Sequence, residues 1–277
     1  MPRLLTRAAC AVVALGAVPA VCAAVQLSVV NINPVPDTLV QFDTDNIAAQ
    51  TVTHTFPTEL VRGLDLTGPT TGWYVSTGGA APGFYRLLNG VSTLVSAVPF
   101  TTSDIGGLTL NREETFLYYE IDEQGTSTDD VLYRVDFDGT FTRLGPITGL
   151  PAAPRTGGLA AHPTTGVLYG FNTANDSIYT VDPTTLVATQ VGTGIGINIV
   201  SAVAGLDFTP DGRLFGTALL GNSSIVFEID PATGVATTNY GPLGFVTSSL
   251  AFVPEPGACA AMLALSLLAG VRARRLR

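Results

Sequence analysis

The sequence predicts an all-β fold, a five-bladed β-propeller whose ring is closed by strands from both ends of the chain. Three observations predict it: a long-period repeat, a strand-and-turn pattern inside each repeat, and one blade whose strands are divided between the two termini. The repeat begins with Gly-Leu or a close match at Gly63, Gly107, Gly158 and Gly205, with a fifth beginning at Ser249. The spacings are 44, 51, 47 and 44 residues. This period is typical of a four-stranded propeller blade.

The repeat that begins at Gly158 shows the pattern within one blade most clearly. Short alternating runs at 159–161, 167–171, 177–181 and 186–191 are separated by turns rich in Pro, Gly and Asp. The repeat that begins at Gly205 has the same order of runs and turns. Alternating runs with this punctuation are typical of antiparallel strands that follow one another in a meander. We therefore predict four strands for each repeat.

The fifth repeat consists of its first strand alone, because the chain continues directly from Ser249–Phe252 into a different kind of segment. Three further strands are predicted at the other end of the chain, at 27–31, 37–43 and 51–56. The second of these aligns without gaps with residues 176–182 of the third repeat. Pairing them with the last strand would complete a blade and remove two exposed sheet edges.

The N-terminus has the pattern of a secretory signal peptide. Arg3 and Arg7 precede an apolar run from residue 8 to residue 21, which is followed by small residues at Ala23 and Ala24. We predict a signal helix over residues 1–23, export by the Sec machinery, and cleavage after Ala23 or Ala24. A lipoprotein signal centred on Cys22 is an alternative, but a valine precedes it where a small residue is required.

The C-terminus combines a rigid motif, an apolar run and a basic end. Val253-Pro254-Glu255-Pro256 is followed by apolar or small residues 257–271 and then by Arg272, Arg274 and Arg275. As a helix the run would be roughly 22 Å long, short of the ~30 Å hydrocarbon core, so it would span a membrane only with local thinning or snorkelling of its arginines. The arginines favour the cytoplasmic side. A simple tail anchor is the alternative interpretation.

These C-terminal residues resemble the PEP-CTERM sorting signal of Gram-negative bacteria, which a membrane enzyme called exosortase processes. The resemblance covers residues 254–277 and includes the motif, the apolar helix and the terminal arginines in the family's order. It implies cleavage near Pro254-Glu255-Pro256 and transfer of the protein to the cell surface or the exopolysaccharide matrix. The body between the two signals, residues 24–253, is then a single propeller domain.

The composition of the body limits its function. It has no cysteine, because Cys10, Cys22 and Cys259 lie in the terminal signals, so it contains no disulfide. It has no lysine, and 7 arginines against 21 acidic residues give it a net charge near −14. Such a charge argues against binding to nucleic acid or to anionic lipid through the body.

Groups that could perform catalysis are few. The sequence contains no nucleophile elbow, phosphate-binding loop or zinc-protease motif, and its two histidines, His54 and His162, are predicted in a strand and a turn. The middle positions of the five innermost strands include two carboxylates, Asp65 and Asp207. A metal-assisted hydrolase or a lactonase-like enzyme would place them around a metal in the tunnel, but two carboxylates from two blades make a sparse ligand set.

An acidic insertion, residues 120–130, lengthens the second repeat. Asp122, Asp129 and Asp130 could bind Ca²⁺ there, but the insertion lacks the regular Asp spacing of a calcium loop. A solvated hairpin loop is the preferred interpretation, and no cofactor is expected.

Seven aromatic residues could stack on sugars if their rings are exposed, although aromatic residues in alternating strands usually lie in the core. They are Trp73, Tyr74, Phe84, Tyr85, Tyr118, Tyr119 and Tyr133. The sequence thus favours a surface-sorted binding or structural module over an enzyme, with exosortase, the Sec machinery and extracellular polysaccharide as expected partners and no nucleic acid.

Overall fold

The computed structural model describes residues 24–33, 35–100, 106–122, 130–151, 155–199 and 203–254. The predicted signal helix, the apolar C-terminal helix and some of the predicted site residues lie outside these ranges: Ala23, Asp129, Glu255, Pro256, Arg272, Arg274 and Arg275. Among the described residues, no helix has the length and apolar character needed to cross a membrane.

The described residues form twenty strands in five antiparallel sheets of four, numbered β1 to β20 in chain order. From the tunnel outwards, blade 1 contains β20 (Thr247–Phe252), β1 (Gln26–Asn31), β2 (Asp37–Asp43) and β3 (Asn46–Phe56). Blade 2 contains β4 (Glu59–Gly68), β5 (Thr71–Gly79), β6 (Gly83–Leu88) and β7 (Val91–Ser96). Blade 3 contains β8 (Gly106–Leu110), β9 (Leu117–Asp122), β10 (Asp130–Val135) and β11 (Phe141–Pro146). Blade 4 contains β12 (Thr156–Ala161), β13 (Leu168–Asn172), β14 (Ser177–Asp182) and β15 (Val187–Val191), and blade 5 contains β16 (Ala204–Phe208), β17 (Leu214–Leu220), β18 (Ser223–Ile229) and β19 (Ala236–Pro242).

The prediction of ring closure is confirmed. The last strand, β20, pairs antiparallel with β1, with Leu27 opposite Phe252 and Val29 opposite Leu250. The pairing extends by one further bond, in which the amide of the fully buried Val253 donates to the carbonyl of Gln26 at 3.0 Å. The outermost strand of this blade begins at residue 46 rather than 51, because the chain turns back directly after β2.

Both faces of the blades pack against their neighbours, which explains the high apolar content of strands on both sides. Phe171 of blade 4 and Phe227 of blade 5, for example, make an edge-to-face contact with ring centroids 6.0 Å apart. The buried apolar residues form clusters that bridge successive blades rather than one central core.

The glycines of the repeat lie where the five innermost strands come closest around the axis. A Cβ atom on Gly107 would lie 2.5 Å from the backbone nitrogen of Leu159, and one on Gly158 would lie 2.7 Å from that of Leu206. Glycine is required here because the neighbouring backbone occupies the space of a side chain. The axial space at this waist is only about 10 Å³, no more than a single water would need. The waist therefore closes the tunnel and separates its two ends.

Candidate functional site: the mouth of the tunnel and its rim

The end of the tunnel at which the innermost strands finish opens into a cavity of about 340 Å³, which we call the mouth. Asp65, Thr109 and Asp207 lie at corresponding places of three innermost strands and contribute its polar surface. Phe208, Phe252 and several prolines contribute its apolar walls. Pro254, the last described residue, also lines the mouth, so the C-terminal segment leaves the fold on this face.

The polar residues of the mouth connect each blade to the next. The Asp65 Oδ2 atom accepts a hydrogen bond from the Leu110 amide at 2.5 Å, and the Thr109 hydroxyl oxygen accepts one from the Ala161 amide at 3.1 Å. The Asp207 carboxylate accepts one from the Phe252 amide at 2.6 Å and another from its neighbour Phe208 at 2.7 Å. Adjacent innermost strands belong to different sheets, so no sheet pairs their backbones. The side chains of Asp65, Thr109 and Asp207 provide hydrogen bonds between them instead.

The two carboxylates also influence each other. Burial raises the pKa of Asp65 to about 6, although the hydrogen bonds from backbone amides oppose this rise. Burial raises the pKa of Asp207 well above its ordinary value, and the negative charge of Asp65 adds to the effect. The charged form of each carboxyl is therefore disfavoured by burial, and that of Asp207 is disfavoured further by the charge of Asp65. Among the described residues, no group of three or more His, Cys, Asp or Glu side chains is arranged to hold a metal ion.

The two histidines have partners other than this pair. The His162 Nδ1 atom accepts hydrogen bonds from the Thr164 and Thr165 amides at 3.2 and 3.3 Å, so its ring stabilises the predicted turn. His54 lies on the outer strand β3, where its Nε2 atom is 3.1 Å from the Ser92 hydroxyl of blade 2.

An aromatic pair stands on the mouth face between blades 2 and 3. Trp73 and Phe137 stack with centroids 4.6 Å apart and planes inclined by 18°, and the Phe137 side chain is 37% exposed. Trp73 lies directly between Asp65 and Arg86 in the sheet, so all three side chains share one face. Arg86 is exposed and forms no ion pair with any described residue. We call Trp73, Phe137 and Arg86 the aromatic rim.

Of the seven aromatic residues considered as sugar contacts, five are buried in the core: Tyr74, Phe84, Tyr85, Tyr119 and Tyr133. Only Trp73 and Tyr118 are partly exposed. Phe137 was not among the candidates. The repeat could have pointed to Phe137. The turn after the third strand has proline after Asp182 and Asp230, whereas it has phenylalanine after Asp136.

The interpretation of residues 120–130 as a solvated hairpin is wrong at both of its ends. Glu120, Asp122 and Asp130 are 0%, 3% and 1% exposed. They end β9 and begin β10 on the face that packs against blade 4, where the Asp130 carboxylate accepts hydrogen bonds from the Thr156 hydroxyl at 2.5 Å and the Thr156 amide at 3.2 Å. The strands are longer than the local sequence suggested, because the neighbouring blade supplies polar partners.

Comparison with solved structures finds the same fold. A chain of a nidogen/laminin complex is similar over 84% of this chain and 99% of its own, with 10% identity and a TM-score of 0.51. The calcium-binding protein regucalcin from Agrobacterium tumefaciens is similar over 78% of this chain and 71% of its own, with 19% identity and a TM-score of 0.49. An auxiliary nutrient binding protein from Bacteroides thetaiotaomicron has 17% identity over 67% of this chain and 43% of its own, with a TM-score of 0.45.

At these identities the likeness concerns the fold alone. No curated protein matches the sequence. A family model described as a repeat of unknown function, DUF6923, matches residues 98–251, which include all of blades 3, 4 and 5 and all but the last residue of the closing strand. The chain therefore belongs to the DUF6923 repeat family.

Proposed function

We propose that this protein is exported, sorted to the cell surface or extracellular matrix by exosortase, and acts there as a binding module that contacts acidic polysaccharide through its aromatic rim. Its export and sorting rest on the two terminal patterns, with Val253 and Pro254 joining the propeller to the sorting motif. The body contributes a rigid closed ring with one open mouth.

The stacked Trp73–Phe137 pair beside Arg86 is the observation that carries the binding role. Aromatic faces bind the apolar face of a pyranose ring, and a guanidinium group binds a carboxylate through two parallel hydrogen bonds. Phe137 lies at the tip of an Asp-Phe-Asp-Gly turn, where the turn itself needs only Asp and Gly. Arg86 has no ion pair with any described residue, and on a body with a net charge near −14 it provides a local site for an anion.

Trp73 is the only tryptophan of the chain, so its fluorescence reports binding at the rim directly. We expect polygalacturonate to change this fluorescence in a saturable way and neutral dextran to have no effect. Phe137→Ala and Arg86→Ala should each weaken the apparent affinity about tenfold, by the loss of roughly 1–2 kcal/mol from one stacking or one charged contact. Phe116→Ala removes another partly exposed aromatic residue and should leave the affinity unchanged. Equal affinities in all four proteins would refute the assignment.

Sorting is tested separately. Replacing Pro254, Glu255 and Pro256 together by alanine should keep the full-length chain in the membrane fraction of a host that contains exosortase. Normal release of this variant would contradict the sorting proposal while leaving the binding proposal intact.

A second candidate, a metal-assisted hydrolase of the lactonase type, is favoured by Asp65 and Asp207 in the mouth, two carboxyls whose pKa values are both raised by burial. In that mechanism one carboxylate accepts a proton from water while the protonated partner donates to the leaving oxygen. Lactone and ester hydrolysis should then appear on addition of Ca²⁺, Mn²⁺ or Zn²⁺ and disappear in both Asp65→Asn and Asp207→Asn. Activity that survives both substitutions, or no activity with any metal, would exclude this candidate.

A further inference from the structure

Three acidic side chains are buried between blades 3 and 4, at the opposite end of the tunnel from the mouth. We call Glu120, Asp122 and Asp130 the seam acids. Glu120 is fully buried, and neither of its carboxylate oxygens has a hydrogen-bond partner among the described residues. An uncompensated buried carboxylate costs several kcal/mol or more in the charged form, so such a group normally takes up a proton.

The strand register places the three seam acids together. Glu120 and Asp122 alternate along β9 and point to the same face, and Asp130 of β10 lies directly opposite Asp122. Leu132, which lies opposite Glu120, packs in one cluster with Leu159 and Leu168 of blade 4. The seam acids therefore face blade 4.

Blade 4 presents uncharged groups to them. Thr156 of β12 donates two hydrogen bonds to Asp130, and Asn172 of β13 lies directly opposite Thr156 in the sheet. Asn172 is fully buried, its Oδ1 atom accepts from the Ala174 amide at 2.9 Å, and its Nδ2 atom has no partner in the part of the chain that the structure describes. On the inner side, Glu120 lies opposite Gly107 of β8, which has no side chain.

The charges of Asp122 and Asp130 oppose the ionisation of Glu120. Burial, and then the carboxylates of Asp130 and Asp122, raise the pKa of Glu120 well above its ordinary value. Tyr119, on the opposite face of β9, is itself buried, and Glu120 raises its pKa further. Loss of a proton from Glu120 would thus add a buried charge beside Asp130, the residue through which blade 3 holds the first residue of β12.

We propose that the seam between blades 3 and 4 is a pH-sensitive latch, which is closed while Glu120 carries a proton and loosens when that proton is lost. The latch would respond at the end of the tunnel opposite the mouth and leave the mouth unchanged. It is independent of the ligand of the rim and of the sorting signal.

Hydrogen exchange of the full chain, measured by mass spectrometry over a range of pH, tests the latch. Between the ordinary pKa of glutamate and the raised pKa of Glu120, opening of the seam releases one proton. The opening equilibrium should therefore grow about tenfold for each pH unit, beyond the known rise in the chemical exchange rate. We expect this extra rise in peptides from residues 106–122 and 156–172, and not in peptides from blade 5.

Glu120→Gln should abolish the extra rise, because the side chain keeps its shape and cannot ionise. Glu228→Gln is the matched control, since Glu228 forms an ion pair with Arg213 and should leave the pH response of the seam unchanged. The same pH response in Glu120→Gln and the wild type would overturn the proposal. So would recovery of protection in alkaline solution on addition of Ca²⁺ in the wild type alone, because the seam acids would then form a cation site.

If Glu120→Gln fails to fold, the wild type labelled with ¹³C at the glutamate side-chain carboxyl gives the answer without a substitution. In a pH titration followed by ¹³C chemical shift, one glutamate carboxyl should keep its proton to a clearly higher pH than the others. Loss of the proton from every glutamate over the same pH range would refute the latch.

Discussion

Substitution of Gly107 by alanine tests whether the waist of the tunnel is as tightly closed as the structure indicates. The added Cβ would lie 2.5 Å from the Leu159 nitrogen, 2.7 Å from the Leu159 Cβ and 2.9 Å from the Gly158 carbonyl carbon. All three atoms belong to β12 at or next to its backbone, so no flexible side chain can move aside. Relief requires β8 and β12 to separate, and the closed ring opposes this because β12 is itself pressed against β16.

The expected cost follows from that geometry. Overpacking of a core costs about 1–3 kcal/mol, and a rigid backbone neighbour places this site at the upper end, near 3 kcal/mol. For a domain of this size, 1 kcal/mol corresponds to roughly 2–4 °C in Tm, so we expect a fall of about 6–12 °C. Circular dichroism during heating measures it.

Gly68→Ala is the matched control for this prediction. Gly68 also lies in an innermost strand, β4. A Cβ atom added to it would have the Thr71 Cβ as its nearest neighbour at 3.7 Å, which is an ordinary contact. We expect its Tm to stay within about 2 °C of the wild type, as for most substitutions outside tightly packed sites. Similar melting temperatures for the two variants would refute the argument that backbone contact closes the waist.

Three further predictions concern closure and buried charge. A chain that ends at Ser248 lacks most of β20 and should lose cooperative unfolding, whereas one that ends at Pro254 should melt like the full chain; equal melting temperatures would contradict closure by the last strand. Asp207→Asn should reduce the loss of stability with rising pH. An acid whose pKa is raised in the folded state stabilises the fold below its ordinary pKa and loses that contribution as pH rises through the raised pKa. An unchanged pH profile of urea denaturation would refute this. Asp37→Ala removes the carboxylate that accepts a hydrogen bond from the Val61 amide and lies 3.7 Å from Arg62. It should lower the free energy of unfolding by about 3–5 kcal/mol in the same assay. A loss below about 1 kcal/mol would show that the pair does not hold blades 1 and 2 together.

The repeat made most of the fold predictable. Gly-Leu recurs because four of the five blades place a glycine at the waist and a buried leucine next to it, and the fifth places Ser249 and Leu250 there. Residues 37–43 could be assigned to a third strand because they copy residues 176–182. Closure followed from counting strands, since a blade with one strand at one end of the chain needs three at the other.

Contacts between blades were less predictable. The positions of Asp65 and Asp207 in the innermost strands were identified, but their hydrogen bonds to Leu110 and Phe252 depend on how far each blade is rotated against the next, which no local pattern specifies. For the same reason the stack of Trp73 on Phe137 joins two residues that have no relation in the repeat. Charge at residues 120–130 suggested exposure, yet Asp130 is buried because Thr156 of another blade donates to it.

The position of β20 determines how the fold would carry a mechanical load. A pull on the C-terminal segment enters at Pro254, passes Val253, and acts along β20, which lies at the centre of the ring and not at its edge. Withdrawal of β20 along its own axis requires all of its hydrogen bonds with β1 to break together. The close backbone contact with Gly205 and the hydrogen bond between Asp207 and Phe252 also oppose this movement. An outer strand such as β3 could instead be peeled off one bond at a time. If the protein is held at a surface by its C-terminus, as proposed above, the load would thus act on a central strand rather than on an edge strand.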